Sequence, residues 1–427
     1  MEKKKMWNRD FTMVVIGQII SLFGNSILRF ALPLYLLNET KSAALFGLVS
    51  ACAFIPMIVL VPIGGIFADR VNKRNIMVIL DFSTAALTLI FTVLLGKVNL
   101  IGLILGTLII LYGIQGAYQP SVQASIPFLV ETEQIMQGNA VINLVSSFSG
   151  LIGPVIGGLL FGFFGIIPIL YIGSFCFFAS AVMEIFIHIP FIKKNTEGSI
   201  FSIGLQDLKE SFHYMCKEQP LIIKVSFIVA AINLFLSALM IIGLPVLVTQ
   251  ILSFDVETGN RLYGYAQGAL AAGSLCGGLC AGVLSKKLKA KNSYITLFYC
   301  ALTLIPIGIA ISINVPVMVS YYIIVISCFV MMILAAMFSI QMMSYLQMIV
   351  PNHIIGKVIS SAICIGMCAS PIGQAVYGGL FQIFDKKIYI VIYSAAFITC
   401  LIAIISKRIF NELNLVLSEA MGRNQNE

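Results

Sequence analysis

The chain has 427 residues, of which 59% are hydrophobic and 10% are charged, and its formal net charge at pH 7 is +8. Soluble domains typically have about 25% charged residues, so this composition excludes a soluble globular protein and predicts one that a lipid bilayer covers. The excess positive charge falls in the predicted loops, where it orients membrane spans, so a nucleic-acid partner is not needed to explain it.

Apolar runs long enough to cross a bilayer, about 20 residues each, recur along the whole chain. We predict an all-α polytopic membrane protein with twelve transmembrane helices, here called spans one to twelve. The first run is too long for a signal peptide and lacks a small-residue cleavage site, so it is predicted to be span one. The predicted spans are residues 11–37, 43–68, 76–95, 99–126, 137–163, 167–190, 220–250, 262–284, 293–313, 316–348, 358–383 and 388–406.

Lys and Arg residues set the predicted topology. Most of them fall in segments that are cytoplasmic when the N-terminus is placed in the cytoplasm. The positive-inside rule then predicts a multi-pass protein of the cell membrane (plasma or inner membrane) with both termini cytoplasmic. Arg29 is left inside span one.

A short pattern occurs once in each half of the chain. GGIFADRVNKR at 64–74 follows span two, and a weaker copy, GGLCAGVLSKK at 277–287, follows span eight. A small-residue helix end with a basic turn, repeated once per half, is typical of transporters built from two related halves. We predict an N-terminal six-helix bundle (1–190), a cytoplasmic linker (191–219), a C-terminal six-helix bundle (220–406) and a cytoplasmic tail (407–427).

The linker is predicted to contain a short amphipathic helix at the membrane surface. Its apolar positions fall near helical spacing; they are Ile203, Leu205, Leu208, Phe212 and Met215.

Two motifs resemble those of a known family. The turn after span two has Gly, a small residue, Asp, Arg and a basic pair, with Asn72 where Gly is usual. Span five has a Gly-Pro core followed by Gly-Gly. With these motifs the chain resembles the major facilitator superfamily over essentially its whole length, and more narrowly the macrolide-efflux-type and enterobactin-exporter-type drug:proton antiporters. The resemblance implies two pseudo-symmetric six-helix bundles and export rather than uptake. The matching residues are Gly65, Ala68, Asp69, Arg70, Lys73 and Arg74 after span two, and Gly153, Pro154, Gly157 and Gly158 in span five.

The turn after span two is predicted to be part of a gate. Gly65 allows close helix approach, and Asp69 can hold the positive N-terminus of span eleven in one state and release it in another. Acidic residues between spans four and five are within reach of Arg70 and Arg74. Asp81 lies on the same helix face as Arg74 and is predicted to be either a structural partner of the gate or a proton carrier. The alternative is a topology signal with solvated charges. The residues assigned to the gate are Gly65, Asp69, Arg70, Arg74, Asp81 and Glu131, with Glu133 beside the last.

The glycines of span five have two interpretations. They form an exporter-type motif, or they only make a kinked, thin helix that packs tightly on a neighbour.

Polar stripes on four spans predict a substrate cavity. Polar residues are expensive in a membrane and usually face a cavity, although one stripe alone can join two helices. The abundant Met and aromatic residues suit a promiscuous site for bulky lipophilic substrates. The stripes are Gln18, Ser21, Asn25 and Arg29 on span one; Tyr112, Gln115, Gln119 and Gln123 on span four; Ser226, Asn233, Ser237 and Met240 on span seven; and Gln341, Tyr345 and Met348 on span ten.

Charged residues inside the spans are candidates for coupling. Arg29 either reaches the outer interface or lies in the cavity, where it would bind anionic substrate groups or respond to a nearby protonation. Glu184 and His188, four residues apart, form either a proton relay or an interfacial pair. The resembled antiporters usually carry Arg where this chain has Tyr112, so coupling is expected to run through Asp81 or Glu184 or to differ in kind.

Other functions have little support in the sequence. The cysteines are scattered, the three histidines are not clustered with other ligands, and neither a nucleotide-binding loop nor a nucleophile–base pair occurs. We therefore expect no enzymatic activity, no cofactor and no metal, and a monomer whose partners are protons, a lipophilic small molecule and the bilayer.

The leading hypothesis is a secondary exporter of lipophilic drugs or related small molecules, driven by proton antiport through alternating access of the two bundles. The alternatives are a dedicated exporter of a metabolite such as a siderophore, an importer, or a non-transporting receptor or scaffold of the same fold.

Overall fold

The computed structural model describes residues 7–131, 134–190, 209–284, 289–313, 315–351 and 354–424. These residues form helices and no β-strand, and twelve of the helices are long and apolar enough to cross a membrane, which confirms the predicted fold class. The twelve spans are Arg9–Thr40, Ala43–Arg70, Lys73–Leu94, Leu100–Leu129, Ile135–Phe164, Ile166–Ile185, Pro220–Ile251, Val256–Val283, Ala290–Ser312, Val317–Ile349, Ile355–Ile383 and Ile388–Asn424.

Short polar side chains mark the start of several spans. Asn8 and Asn99 accept hydrogen bonds from the backbone N–H three residues later, and Asn72 from the N–H of Arg74. Such caps satisfy the free N–H groups of the first helical turn. Asp255 caps span eight in the same way, and the hydrogen bonds from Thr258 hold the pKa of Asp255 below its usual range. Asn72, which replaces the usual Gly of the motif, thus begins span three.

Span seven is not a continuous α-helix. It is α-helical over Pro220–Ile232 and Ala238–Val246, whereas Asn233–Ser237 and Leu247–Ile251 are π-helical. A π turn inserts one extra residue and turns the following side chains relative to a straight helix. Met240, predicted to lie on the polar stripe, is accordingly buried against Cys328 of span ten.

The boundary predicted after residue 406 is not a helix end, because span twelve continues to Asn424. Phe410, Leu413 and Leu417 are buried in an apolar cluster with residues of spans seven, nine and ten. Their spacing places all three on one helix face, so packing extends the helix into the predicted tail.

The part of the linker that is described packs on neighbouring spans. Residues 209–213 are helical and Tyr214–Glu218 form a π turn. Met215 is fully buried, whereas Phe212 is exposed, and Glu210 pairs with Lys357 of span eleven at 2.8 Å. The other three predicted apolar positions of the linker, at 203, 205 and 208, lie outside the described residues.

The described residues form two compact units. The first unit lies within Met1–Lys41, Cys52–Gly204 and Asp255–Gly268, and the second within Ser42–Ala51, Leu205–Phe254 and Ala269–Glu427. These units depart from the predicted halves in two segments, because the start of span two belongs to the second unit and the start of span eight to the first.

Glycine contacts explain both exchanged segments. In the first unit a Cβ at Gly158 of span five would lie 2.6 Å from the Cα of Gly264 of span eight. In the second unit a Cβ at Gly47 of span two would lie 2.7 Å from the Cα of Gly378 of span eleven. Backbones this close bind the segments to their units through small-residue packing.

Candidate functional site

A buried cluster of polar side chains lies where spans one, three, four and six of the first unit meet. We call Gln18, Ser21, Asp81, Tyr118 and Glu184 the acid cluster. The Tyr118 hydroxyl donates to Glu184 Oε1 at 2.8 Å and accepts from Gln18 Nε2 at 2.7 Å. Its oxygen also lies 3.5 Å from Asp81 Oδ2, and Ser21 donates to Asp81 Oδ1 at 2.9 Å. One phenol therefore bridges two carboxyl groups.

The acid cluster is closed to solvent. Asp81 is 2% exposed, Tyr118 is 4% exposed, and Gln18 and Glu184 are fully buried. Among the described residues neither carboxyl group has an ion-pair partner, and Glu184 Oε2 and Gln18 Oε1 accept no hydrogen bond. A buried pair of carboxylates without a cation is costly when both are ionised, so the site is suited to holding a proton.

Small residues bring the helices of the cluster together. Ser180 of span six donates to the carbonyl oxygen of Gly17 at 3.1 Å, and a Cβ at Gly17 would lie 3.7 Å from Glu184. Gln18 and Ser21 are three residues apart and so lie on one face of span one. This local packing is what places a span-six carboxyl group beside the span-three carboxyl group.

The structure places two residues in one cluster that the sequence analysis had treated as separate candidates. Asp81 and Glu184 were each predicted as possible proton carriers, and Tyr118, which links them, was missed. Tyr118 lies three residues after Gln115 and therefore on the neighbouring face of the same helix, which was the available signal. Gln18 was assigned to the substrate cavity but is fully buried in the acid cluster.

Arg29 lies against span four. Its guanidinium donates to Gln115 Oε1 and is 4.0 Å from the ring centroid of Tyr112. This cation–π and hydrogen-bonded position favours the interpretation in which Arg29 points into the helix bundle over the one in which it reaches the outer interface. The resembled antiporters carry Arg at the position of Tyr112. In this chain an Arg from span one, Arg29, lies over the ring of Tyr112 instead.

A small cavity lies between the acid cluster and the Arg29 contact. Its volume is about 10 Å³, close to the minimum for one water molecule, and its lining includes Asn25, Asp81, Gln115 and Gln119. Asn25 Oδ1 is buried and accepts no hydrogen bond from the described residues. The cavity therefore borders both Asp81 of the acid cluster and Gln115 of the Arg29 contact.

Two predicted pairings are wrong. Arg74 donates to the carbonyl oxygen of Ile185 at the end of span six, whereas the hydrogen-bond partners of Asp81 belong to the acid cluster and Ser180, so Asp81 is not the partner of Arg74. His188 lies beyond the helix end at Ile185, so it does not share a helix face with Glu184. Its backbone N–H donates instead to Asp10 at 3.1 Å.

The remaining residues of the predicted gate lie at helix ends. Gly65, Asp69 and Arg70 belong to the last turns of span two, and the side chains of Asp69 and Arg70 lie outside the described part. The carbonyl oxygen of Glu131 accepts from Gln134 at 2.8 Å, and residue 133 is not described. The gating role of these residues stays a prediction.

The span-five motif makes close contacts along its length. A Cβ at Gly153 would overlap Ser26 of span one, and one at Gly157 would lie 3.2 Å from Phe30. Pro154 lies inside the helix, and its carbonyl oxygen would be 3.2 Å from a Cβ at Gly264. The tight packing predicted for the motif is present, whereas its bearing on transport direction stays a prediction.

The second unit contains a cavity of about 530 Å³. Its lining includes the predicted stripe residues Ser226, Asn233 and Ser237 of span seven. The span-ten residues Gln341 and Tyr345 are not part of the lining; Gln341 is buried, and Tyr345 packs on an apolar cluster of that unit.

Comparison with known proteins places the chain among transporters. Residues 14–374 match the profile of the Major Facilitator Superfamily. Macrolide efflux protein A of Streptococcus pyogenes is 24% identical over 377 residues, which cover 87% of this chain and 89% of that protein. The multidrug resistance protein MdtG of Salmonella paratyphi C is 28% identical over 44% of this chain and 46% of its own length. The enterobactin exporter EntS of Shigella boydii is 28% identical over 35% of this chain and 36% of its own length.

Solved structures show the same fold. The nucleoside transporter NupG superposes on this chain with a TM-score of 0.72 at 14% identity, and the alignment covers 95% of this chain and 100% of NupG. A bacterial homologue of the iron transporter ferroportin gives a TM-score of 0.67 at 18% identity, over 93% of this chain and 98% of that one.

Proposed function

Because the chain belongs to the Major Facilitator Superfamily and is a multi-pass membrane transporter, we propose that it exports lipophilic small molecules by proton antiport. The observation that carries the proposal is the acid cluster, in which Asp81 and Glu184 share the hydroxyl of Tyr118 and have no ion-pair partner among the described residues.

The acid cluster supplies the properties that a proton carrier needs. With both carboxyl groups ionised, two buried negative charges would face one phenol, which is unfavourable in a site closed to water. One proton removes one of these charges. The Tyr118 hydroxyl has a single hydrogen, which can be donated to Glu184 or to Asp81. Protonation of one carboxyl group therefore changes the hydrogen bonding of the other.

Proton binding would then drive alternating access. The cluster joins spans one, three, four and six, so a change in its charge alters the packing of four helices at once. In an antiporter the proton enters from one side, the protonated and deprotonated clusters favour different arrangements of the helices, and the substrate moves in the opposite direction. The guanidinium of Arg29 is held on span four by Gln115, which lines the small cavity together with Asp81.

The direction and substrate class are supported by relatives. Proteins similar to this chain are named as a macrolide efflux protein, a multidrug resistance protein and an enterobactin exporter. The span-five motif and the Met-rich cavity of the second unit agree with export of lipophilic compounds. A dedicated exporter of one metabolite is the alternative, and a substrate panel in a host lacking its own pumps separates the two.

The test is transport in everted membrane vesicles. Acidifying the vesicle interior should drive substrate accumulation, a protonophore should abolish it, and depletion of ATP at constant proton gradient should have no effect. Asp81→Asn and Glu184→Gln should each reduce gradient-driven accumulation at least tenfold.

Glu39→Gln is the matched control, since Glu39 is an exposed carboxylate of span one, and it should transport normally. Accumulation that survives the protonophore but requires ATP would contradict proton antiport. Accumulation without any gradient dependence in the unmodified protein would do the same.

A further inference from the structure

We propose that the cavity of the second unit is a binding pocket for neutral lipophilic molecules that carry one hydrogen-bond donor, and that Asn233 is its polar anchor. This inference names the substrate class of the exporter and therefore rests on the proposed function.

The cavity has the size and lining of a small-molecule site. Its volume of about 530 Å³ lies within the range of about 300–1,000 Å³ typical of ligand pockets. Spans seven, nine, ten and eleven contribute apolar side chains, and none of the described residues that line it carries a charge. Its four methionines are Met332, Met342, Met343 and Met367.

The uncharged lining determines which ligands fit. A charged group that enters a pocket without a counter-charge loses its hydration and gains no partner, which is strongly unfavourable. Flexible thioether side chains adapt to apolar ligands of different shape. The pocket therefore favours neutral molecules over anions and cations of the same size.

A π-helical turn forms part of the pocket wall. Asn233, Leu236 and Ser237 belong to the π turn of span seven and line the cavity. Tyr377 of span eleven donates to the carbonyl oxygen of Phe235 at 2.8 Å, and Gly373 lies against the carbonyl oxygen of Leu234. π turns are rare in proteins, and those that occur are often found at functional sites. This turn, which contacts of Tyr377 and Gly373 support, therefore points to a ligand site.

Asn233 is the residue suited to anchor a ligand. Its Nδ2 donates to the carbonyl oxygen of Val229 at 3.2 Å, which leaves the amide oxygen as an acceptor for a ligand donor. Gly366 faces it from span eleven, where a Cβ would lie 3.3 Å from Val229 and 3.5 Å from Asn233 Nδ2. The missing side chain at 366 keeps the approach to Asn233 open.

The test is binding to the purified full-length protein in lipid nanodiscs, without a proton gradient. N-phenyl-1-naphthylamine is a neutral apolar dye with one N–H donor, and 8-anilinonaphthalene-1-sulfonate has the same aromatic frame with a sulfonate. Both increase their fluorescence in apolar surroundings. We expect the neutral dye to bind at least tenfold more tightly than the sulfonate.

Variants locate the site. Ser339→Phe fills the cavity from span ten and should weaken binding of the neutral dye at least tenfold. Ser344→Phe, at an exposed position of the same span that does not line the cavity, should bind like the unmodified protein. Asn233→Leu should weaken binding about fivefold, the loss expected for one neutral hydrogen bond. Unchanged thermal unfolding temperatures show that each variant is folded.

The outcomes separate this inference from the proposed function. Equal binding of the neutral dye to Ser339→Phe and Ser344→Phe, or equal affinity for the sulfonate, would overturn the pocket whatever the vesicle assay shows. Selective loss in Ser339→Phe supports the pocket even if transport is independent of the proton gradient, and in that case only proton antiport is refuted.

Discussion

Replacement of Tyr118 by Phe tests the acid cluster most directly. The change removes one hydroxyl group and keeps the buried ring. It leaves Gln18 Nε2 and Glu184 Oε1, both buried, without their hydrogen bonds of 2.7 and 2.8 Å. Leaving a buried polar group unpaired costs about 1–3 kcal/mol, and more when it is charged. The folded protein should therefore lose roughly 2–6 kcal/mol, less if a water molecule occupies the space of the hydroxyl.

The same change should uncouple the two carboxyl groups. Without the shared hydroxyl, protonation of Glu184 no longer alters the hydrogen bonding of Asp81. If 2 kcal/mol of this interaction is linked to the transport step, the rate falls about thirtyfold, because about 1.4 kcal/mol corresponds to a factor of ten. We expect gradient-driven accumulation in everted vesicles to fall by at least tenfold.

Tyr112→Phe is the matched control for this prediction. Tyr112 lies on the same span, and its ring contacts are to Arg29 and Phe54. Because those contacts involve the ring, loss of its hydroxyl should leave transport nearly unchanged. If Tyr118→Phe transports at the normal rate while Asp81→Asn does not, the phenol does not link the carboxyl groups and the reasoning fails.

Three further variants address the gate, Arg29 and span five. Asp69→Asn should reduce transport severely with little change in membrane insertion or substrate affinity; near-normal transport would show that the turn is only a topology signal. Arg29→Ala should lower the export of anionic compounds relative to neutral or cationic ones in a substrate panel, and an unchanged panel would refute a substrate-facing role. Gly158→Ala should lower the thermal unfolding temperature and reduce transport, because its Cβ would lie 2.6 Å from the Cα of Gly264. Gly150→Ala, where a Cβ would meet nothing within 4 Å, should have no such effect, and equal behaviour of the two variants would refute close packing.

Composition and patterning were enough to predict the membrane environment and the helices. An apolar run of span length must satisfy its backbone hydrogen bonds internally, so in lipid it becomes a helix whatever it packs against. This is why twelve spans were found at nearly their observed bounds. The exceptions are at helix ends: span six was predicted to reach residue 190 but ends at Ile185, and span eight was predicted from residue 262 but begins at Val256. Span twelve continues past residue 406 because Phe410 and Leu413 are buried in the core of the second unit.

The sequence also named most of the polar residues of the candidate site, because polar groups inside apolar spans are conspicuous. Periodicity placed Asn233 and Ser237 on one face of span seven, and both line the cavity of the second unit. It failed at Met240, because the periodic argument assumes a straight α-helix and the π turn at Asn233–Ser237 changes the direction of the residues that follow.

Only the tertiary structure decided which of these residues act together. Asp81, Tyr118 and Glu184 are far apart in the chain, and they meet only because spans three, four and six pack together. Periodicity describes one helix at a time and carries no information on the rotation of one helix against another. The pairing of Arg74 with Asp81 was therefore predicted from a shared helix face, whereas packing turns Asp81 into the acid cluster and Arg74 towards the end of span six.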